Sequence, residues 1–291
     1  MAGLETLYNH AGPFLMVLFR LSGLFVFAPA VSSPILPGRL RVLVCAVFAL
    51  AIYPTIPVEQ QNGAAIRMDW MSLGVGVISE TLIGLVIGLV AALPIYAVQL
   101  GGLIMGQQMG VGLANVYNPA LDIEGDTVGQ FLLYLALAMF LSMGGLDLLF
   151  LTTAETFRHV PIGAILLQPG VAGADPPHAV FSGACLELIE GVVSGGFELA
   201  LRVAAPVLCI IMVETVATAF LMKTMPQLNI MSIGFATKVL VAFLGLIVSM
   251  RAIGYVMSED VSQTGGTVLQ WAESFRLKPD PEPVQERPDG G

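Results

Sequence analysis

Long apolar runs, several of them interrupted by a charge, recur along this chain. Phe14–Val31, Leu40–Ile56, Met71–Leu100, Val128–Leu151, Phe197–Met222 and Ile230–Met257 are the six segments of this kind. A helix needs roughly 20 residues to cross the hydrocarbon of a bilayer, where every backbone group must be bonded internally. The pattern therefore predicts an all-α membrane protein of about six long apolar helices. Turn residues pair them into hairpins. Pro29, Pro34 and Pro37 with Gly38 close the first, over 14–56, and Pro226-Gln227-Leu228-Asn229 closes the last, over 197–257. Between them lies the hairpin 71–151, whose first helix is expected to run on to about Gly110 with a bend at Pro94.

Small residues recur at helical spacing on that long third segment. Gly84, Gly88 and Ala92 form one stripe, and Gly102, Gly106 and Gly110 form another. Such stripes let helix backbones approach closely and mark contact faces within membranes. Farther on, Thr152–His178 holds Pro161, Pro169, Pro176 and Pro177 and reads as a loop with at most one short helix. A helical pattern then runs from Ala179 to Met222, with Gly195-Gly196 as an expected hinge. Residues 1–257 form one helical domain on this pattern, and 258–291 a tail. Within the tail, Val268, Trp271, Ala272 and Phe275 face one side and Gln270, Glu273 and Arg276 the other. That spacing predicts a short amphipathic helix over 267–277, interfacial or docked on a partner, before a disordered Pro-rich end.

Composition sharpens the class. Hydrophobic residues are 56% of 291 positions, charged residues 11%, and mean hydropathy is +0.84, too few charges to coat a soluble domain of this size. Met1–Pro13 contains no basic residue, and the first apolar run carries Arg20, so that run reads as a retained helix rather than a cleaved signal. The net charge of -9 leaves no nucleic-acid footprint. Cys45, Cys185 and Cys209 lack paired spacing and read as small core residues. Orientation is undecided by basic residues, since Arg39, Arg41 and Lys223 on one side nearly balance Arg67 and Arg158 on the other.

Catalytic chemistry has no foothold here. His10, His159 and His178 lie far apart, and neither paired cysteines nor a nucleophile or phosphate-loop motif is present. No enzyme activity, metal or cofactor is expected. Asp122, Glu124 and Asp126 alternate without the glycine and terminal glutamate of a calcium loop, and read as a solvated acidic loop.

Five charges stand inside the apolar runs: Arg20, Glu80, Arg202, Glu214 and Lys238. A charge at bilayer depth costs on the order of 2.5–3.5 kcal/mol on insertion scales, so it faces protein or water and has a role. Counted from the turn at Pro226, Glu214 and Lys238 lie at depths of about 20 and 17 Å at ~1.5 Å per residue, which predicts a contact between them. Arg202 is about 18 Å along the helix from Glu214 by the same rise, leaving Glu80 as its expected partner. The five are read as locks between helices or subunits, in preference to a proton relay.

The stretch from Gly106 to Asn118-Pro119 differs from its surroundings, being rich in glycine, glutamine and asparagine directly after an apolar helix. Irregular backbone at membrane depth is tolerated only where it is buried in protein or lines a water-filled path. Methionine beside glycine suits a seal that deforms and recloses.

Here the chain resembles a known family, FliR, the R subunit of the flagellar type III protein export gate. Phe19-Arg20-Leu21-Ser22-Gly23-Leu24-Phe25, Pro37-Gly38-Arg39-Leu40-Arg41, Gln107-Gln108-Met109-Gly110, Gly129-Gln130-Phe131, Glu155-Thr156-Phe157-Arg158, Ala205-Pro206 and Pro226-Gln227-Leu228-Asn229-Ile230 carry the likeness, in order across roughly 10–255. The resemblance implies a fold of bent helical hairpins packed with FliP and FliQ subunits into a helical hetero-oligomeric gate. That gate would sit in the bacterial inner membrane, within the MS ring of the flagellar basal body, beside FlhB and FlhA. It also implies that loop 106–126 plugs a channel for unfolded flagellar proteins. The plug residues would then be Gln107, Gln108, Met109, Gly110, Gly112, Leu113, Asn115, Asn118 and Pro119. The equivalent subunit of a virulence injectisome (SctT) is the nearest alternative, and a secondary transporter the next, although no second broken helix matches the third segment.

Overall fold

A computed structural model describes residues 2–32, 36–57, 70–110, 126–163, 177–224 and 230–274. Seven α-helices carry the described chain: α1 Ala2–Phe27, α2 Gly38–Ile52, α3 Trp70–Met109, α4 Thr127–Ser142, α5 Gly145–His159, α6 Pro177–Thr224 and α7 Ile230–Ser274. A short 3-10 turn, Tyr53–Thr55, follows α2 with Pro54 inside it. No strand occurs among the described residues. Five helices are long and apolar enough to cross a membrane, or six if the bent pair α4–α5 is counted as one span. The protein is an all-α membrane protein, as the apolar runs require.

Helix α3 is the axis of the molecule. It packs against α1, α4, α6 and α7, and 67% of its apolar span is buried, against 22% for Leu186–Thr224 of α6 and 17% for Gly38–Thr55. The core divides along it. Ile83, Ile87 and Val90 of its first half join α1, α2, α5 and the end of α7 in one cluster. Ile95, Val98, Met105 and Met109 of its second half join α4, α6 and the middle of α7 in another. The division falls at Pro94.

The first glycine stripe explains the tightest crossing. A Cβ added to Gly84 would fall on the Arg20 carbonyl oxygen, and one on Gly88 would lie 2.6 Å from the Leu24 carbonyl. From the other side, a Cβ on Gly23 would strike the Thr81 carbonyl. The α1 and α3 backbones therefore touch, which only residues without side chains permit.

Three expectations are corrected. The single segment Val128–Leu151 is two helices, bent by 65° where Gly144 takes φ +73°; the Phe140 ring covers Gly145 across the break. The amphipathic stretch is not a separate tail helix: α7 continues through Met257 to Ser274, and Val268, Trp271 and Ala272 are buried in this chain's own core. Helix α6 likewise passes through Gly195-Gly196 without a break. Residues 275–277 of the expected amphipathic helix and the Pro-rich end lie outside the described residues. Cys45 is buried, whereas Cys209 is exposed on α6.

Gly84→Ala should destabilise the protein by about 1–3 kcal/mol, the range for overpacking, because its new methyl meets backbone that cannot rotate away. Gly74→Ala, where an added Cβ meets nothing within 4 Å, should be neutral or slightly stabilising. Thermal unfolding of the two variants in one detergent measures the contrast.

Candidate functional site

The close crossing of α1 and α3 brings two of the in-run charges together. Arg20 Nε donates to Glu80 Oε2 at 2.6 Å, and both side chains are almost fully excluded from solvent (0% and 1% exposed). Helix α5 and the turn after it complete the shell. Arg20 Nη2 donates to the Val160 carbonyl at 3.1 Å, and Nη1 reaches Thr156 Oγ1 at 3.4 Å. Thr156 spends its own proton on the Thr153 carbonyl at 2.7 Å, which leaves its oxygen free to accept. The Phe157 ring lies 4.0 Å from the guanidinium carbon, a cation–π contact. Glu80 Oε1 accepts the Gly163 N–H at 2.9 Å, and Gly163 takes φ +71°. A left-handed residue at that place favours glycine. Charge-assisted bonds of this kind are the strong ones, and leaving either charge alone would cost about 3–5 kcal/mol.

Pairings for the other three charges differ from expectation. Arg202 does not meet Glu80; its Nη2 donates to Glu198 Oε1 at 2.6 Å, one turn away on α6, with the pair exposed. The reason is axial position. Helix α6 meets α3 at Gly101, where an added Cβ would lie 2.8 Å from the Ala200 carbonyl, and that level is about 30 Å along α3 from Glu80 at ~1.5 Å per residue. Glu214 accepts from Thr218 Oγ1 at 2.7 Å and from Thr237 Oγ1 at 3.2 Å. No ion pair joins it to Lys238 among the described residues. The depth reckoning missed by one residue, and one residue turns a helical side chain by about 100°. Arg202 is exposed and Glu214 and Lys238 half-buried in this chain.

The second glycine stripe builds the base of the central loop. An added Cβ on Gly102 would lie 2.6 Å from the Gly129 Cα, and one on Gly106 would lie 3.4 Å from the Val128 Cβ, so α3 and α4 converge there. Met105 and Met109 are fully buried against Val128 and Leu132. Helix α3 then stops. Gly110 takes φ +79° and donates its N–H to the Gln107 carbonyl at 3.2 Å, while the Gln107 and Gln108 side chains face outward. The chain re-enters at Asp126, which caps α4 by accepting the Gly129 N–H at 3.0 Å. Of the expected plug residues, Gln107, Gln108, Met109 and Gly110 are thus at the loop's departure point. Gly112, Leu113, Asn115, Asn118 and Pro119 lie outside the described residues.

Five contributors were not foreseen as site residues: Thr156, Phe157, Val160, Gly163 and Asp126. Asp126 carried a readable signal, an aspartate directly before an apolar helical run. The others bond through sequence-distant neighbours, and no local pattern marks them.

Residues 11–264, which include the ion pair and both ends of the loop, match the family model of bacterial export proteins, family 1. The chain belongs to that family. It is 29% identical over 251 residues to flagellar biosynthetic protein FliR of Bacillus subtilis, covering 86% of this chain and 91% of that one. It is 26% identical over 235 residues to Yop proteins translocation protein T of Yersinia pestis (80% and 84% covered). Flagellar biosynthetic protein FliR of Escherichia coli matches at 27% over 218 residues (75% and 76%). For a FliR-family chain, the buried pair lies at the junction of α1, α3 and α5, apart from the base of the central loop.

Arg20→Met and Glu80→Leu should each destabilise the protein by about 3–5 kcal/mol, because each strands a buried charge. The double variant should recover part of that loss, because no charge is stranded, although the Gly163 N–H and the Val160 carbonyl lose their partners. A double-mutant cycle on detergent-solubilised protein reads the coupling directly. At the loop base, Asp126→Ala should cost about 0.5–2 kcal/mol, the worth of an N-cap, measured in the same way.

Proposed function

We propose that this chain is a structural and gating subunit of the flagellar type III export gate, a part of the channel through which unfolded flagellar proteins leave the cell. The observation that carries the proposal is the family match over residues 11–264, joined to the flagellar naming of the Bacillus subtilis relative. In this proposal the chain works in the bacterial inner membrane within the basal body. FliP and FliQ subunits pack around it, FlhB and FlhA stand beside it, and the MS ring encloses it. It performs no catalysis and binds no cofactor.

Two features of the chain support the assembly. Broad apolar faces point outward on α2, α6 and α7: Val42 is 70% exposed, Met212 72% and Val248 76%. Contiguous apolar surface of this extent belongs against lipid or another chain. The buried Arg20–Glu80 shell, by contrast, is complete within one chain, so the fold holds its own shape before partners arrive.

Loop 106–126 is proposed as the plug of the closed channel. Its two ends leave from adjacent points on a methionine-lined seat, Met105 and Met109 against Val128, which favours movement of the loop about a fixed base. Removing Val111–Asn118 should make resting membranes leaky to ions while the gate still assembles. Unchanged conductance in an assembled gate would reject the plug.

The Yersinia pestis relative supports a second reading, the equivalent subunit of an injectisome. A chromosomal deletion of this chain separates the two. Loss of swimming and of flagellin export, restored by the full chain, is the flagellar outcome; loss of effector secretion with normal swimming is the injectisome outcome.

A further inference from the structure

Among the spans long and apolar enough to cross a membrane, the one that begins with α2, Gly38–Thr55, is the least buried. Leu40, Val42, Leu43, Val47 and Leu50 point outward along it. Where helices of this chain touch backbone to backbone, glycine makes the contact: Gly23, Gly84 and Gly88 between α1 and α3, Gly102 and Gly129 between α3 and α4. The α2 face has no glycine beyond Gly38 and is lined by branched aliphatic side chains. Such a surface suits fluid acyl chains better than the backbone of another helix.

Charge separates this face from the other outer faces. Helix α6 exposes the Glu198–Arg202 pair, and α7 exposes Arg251 and Glu259. No charged residue interrupts 42–58. A charge against lipid tails is costly, so the face without one is the face that can lie there. Its length also fits, since Leu40 to Leu50 rises ~15 Å, half of the roughly 30 Å of bilayer hydrocarbon.

Arg39 stands at the rim of the stripe, exposed and in no ion pair among the described residues. Arg41 Nη2 donates to the Ser32 carbonyl at 3.3 Å, which ties the basic end of α2 to the hairpin turn. The sequence has no acidic residue between Glu5 and Glu59, so this end of the first hairpin is basic with no acid of its own. A guanidinium at the rim of an apolar face is placed to meet lipid phosphate.

We propose that α2 is a lipid-facing wall that holds an anionic phospholipid. Its acyl chains lie along Leu40, Leu43, Val47 and Leu50, and its headgroup meets Arg39. The contact is one-sided. Cys45 of α2 lies against Leu18 of α1, Gly88 of α3 against Leu24, and Gly196 of α6 against Ala97 of α3. Counted along the helices, exposed Glu187 and Glu190 of α6 stand at about the height of Arg39. Acids at that height repel anionic headgroups from the α6 side. The inference goes beyond the export reading and holds for whichever export machine the chain serves.

The test places the photo-crosslinking residue p-benzoylphenylalanine at Val47, Leu43 or Leu186 of the full chain, expressed with its natural neighbours in its host membrane. Leu186, exposed on α6 beside Glu187, is the control. The adduct at Val47 should be phospholipid, at least tenfold above any lipid adduct at Leu186. At Leu43, one turn from Arg39, anionic phospholipid should be enriched at least threefold over its share of the extracted membrane. Arg39→Glu should remove that enrichment and Arg39→Lys should keep it. Helicity and thermal unfolding of both variants should match the parent, because Arg39 is exposed and unpaired in the fold. A protein adduct at Val47, from a second copy or another subunit, would overturn the proposal. So would an equal lipid yield at Leu186, or an enrichment unmoved by Arg39→Glu. If Val47 reaches a co-purifying subunit, the lipid wall is wrong and the assembly stands.

Discussion

The architecture depends on the contact of two bare backbones, α1 on α3, and on the ion pair that this contact encloses. Gly23, Gly84 and Gly88 let the helices meet at a separation where an added methyl would strike a carbonyl. At that separation Arg20 and Glu80 can reach each other at 2.6 Å with water excluded. The desolvation cost of two charges is large, and it is offset only when nearly every donor and acceptor is used. Here the guanidinium has the carboxylate, a carbonyl, a hydroxyl and an aromatic face, and the carboxylate has a second donor in Gly163. The turn after α5 is thereby tied to the first hairpin.

The same device appears at the other end of α3, with a different outcome. Gly102 and Gly129 bring α3 against α4, and what the contact encloses there is apolar, Met105 and Met109 against Val128 and Leu132. One end of the central helix is therefore fastened by directional, charged bonds, and the other by soft thioether packing. Directional bonds hold a single geometry, whereas methionine fills irregular gaps and tolerates rearrangement. The proposed plug draws on this contrast between a fixed end and an adaptable end of one helix.

The outer helices follow another rule. Along α6 and α7 the apolar residues face outward as much as inward, as Met212, Val213, Phe220 and Val248 show. A chain folded alone in water would not present such faces. Their existence agrees with membership in a family of export proteins matched over residues 11–264.

Much was legible in the residues alone, for physical reasons that can be named. Twenty-residue apolar runs admit one backbone solution in a bilayer, so the long apolar helices followed from hydropathy, although the fourth run became two helices bent at Gly144. The small-residue stripes marked true contact faces, because close approach needs glycine wherever it occurs. Which charges meet was decided only in three dimensions. Two residues on different helices pair by axial level and by azimuth together, and sequence yields the first only across a short turn. Hence Glu214 lies beside Thr237 rather than Lys238, and Arg202 turns to Glu198 on its own helix. Tertiary packing also decided the fate of the last amphipathic stripe. Val268, Trp271 and Ala272 read as a face for membrane or partner, and the end of α7 instead packs on this chain's own α3 and α5, which buries it.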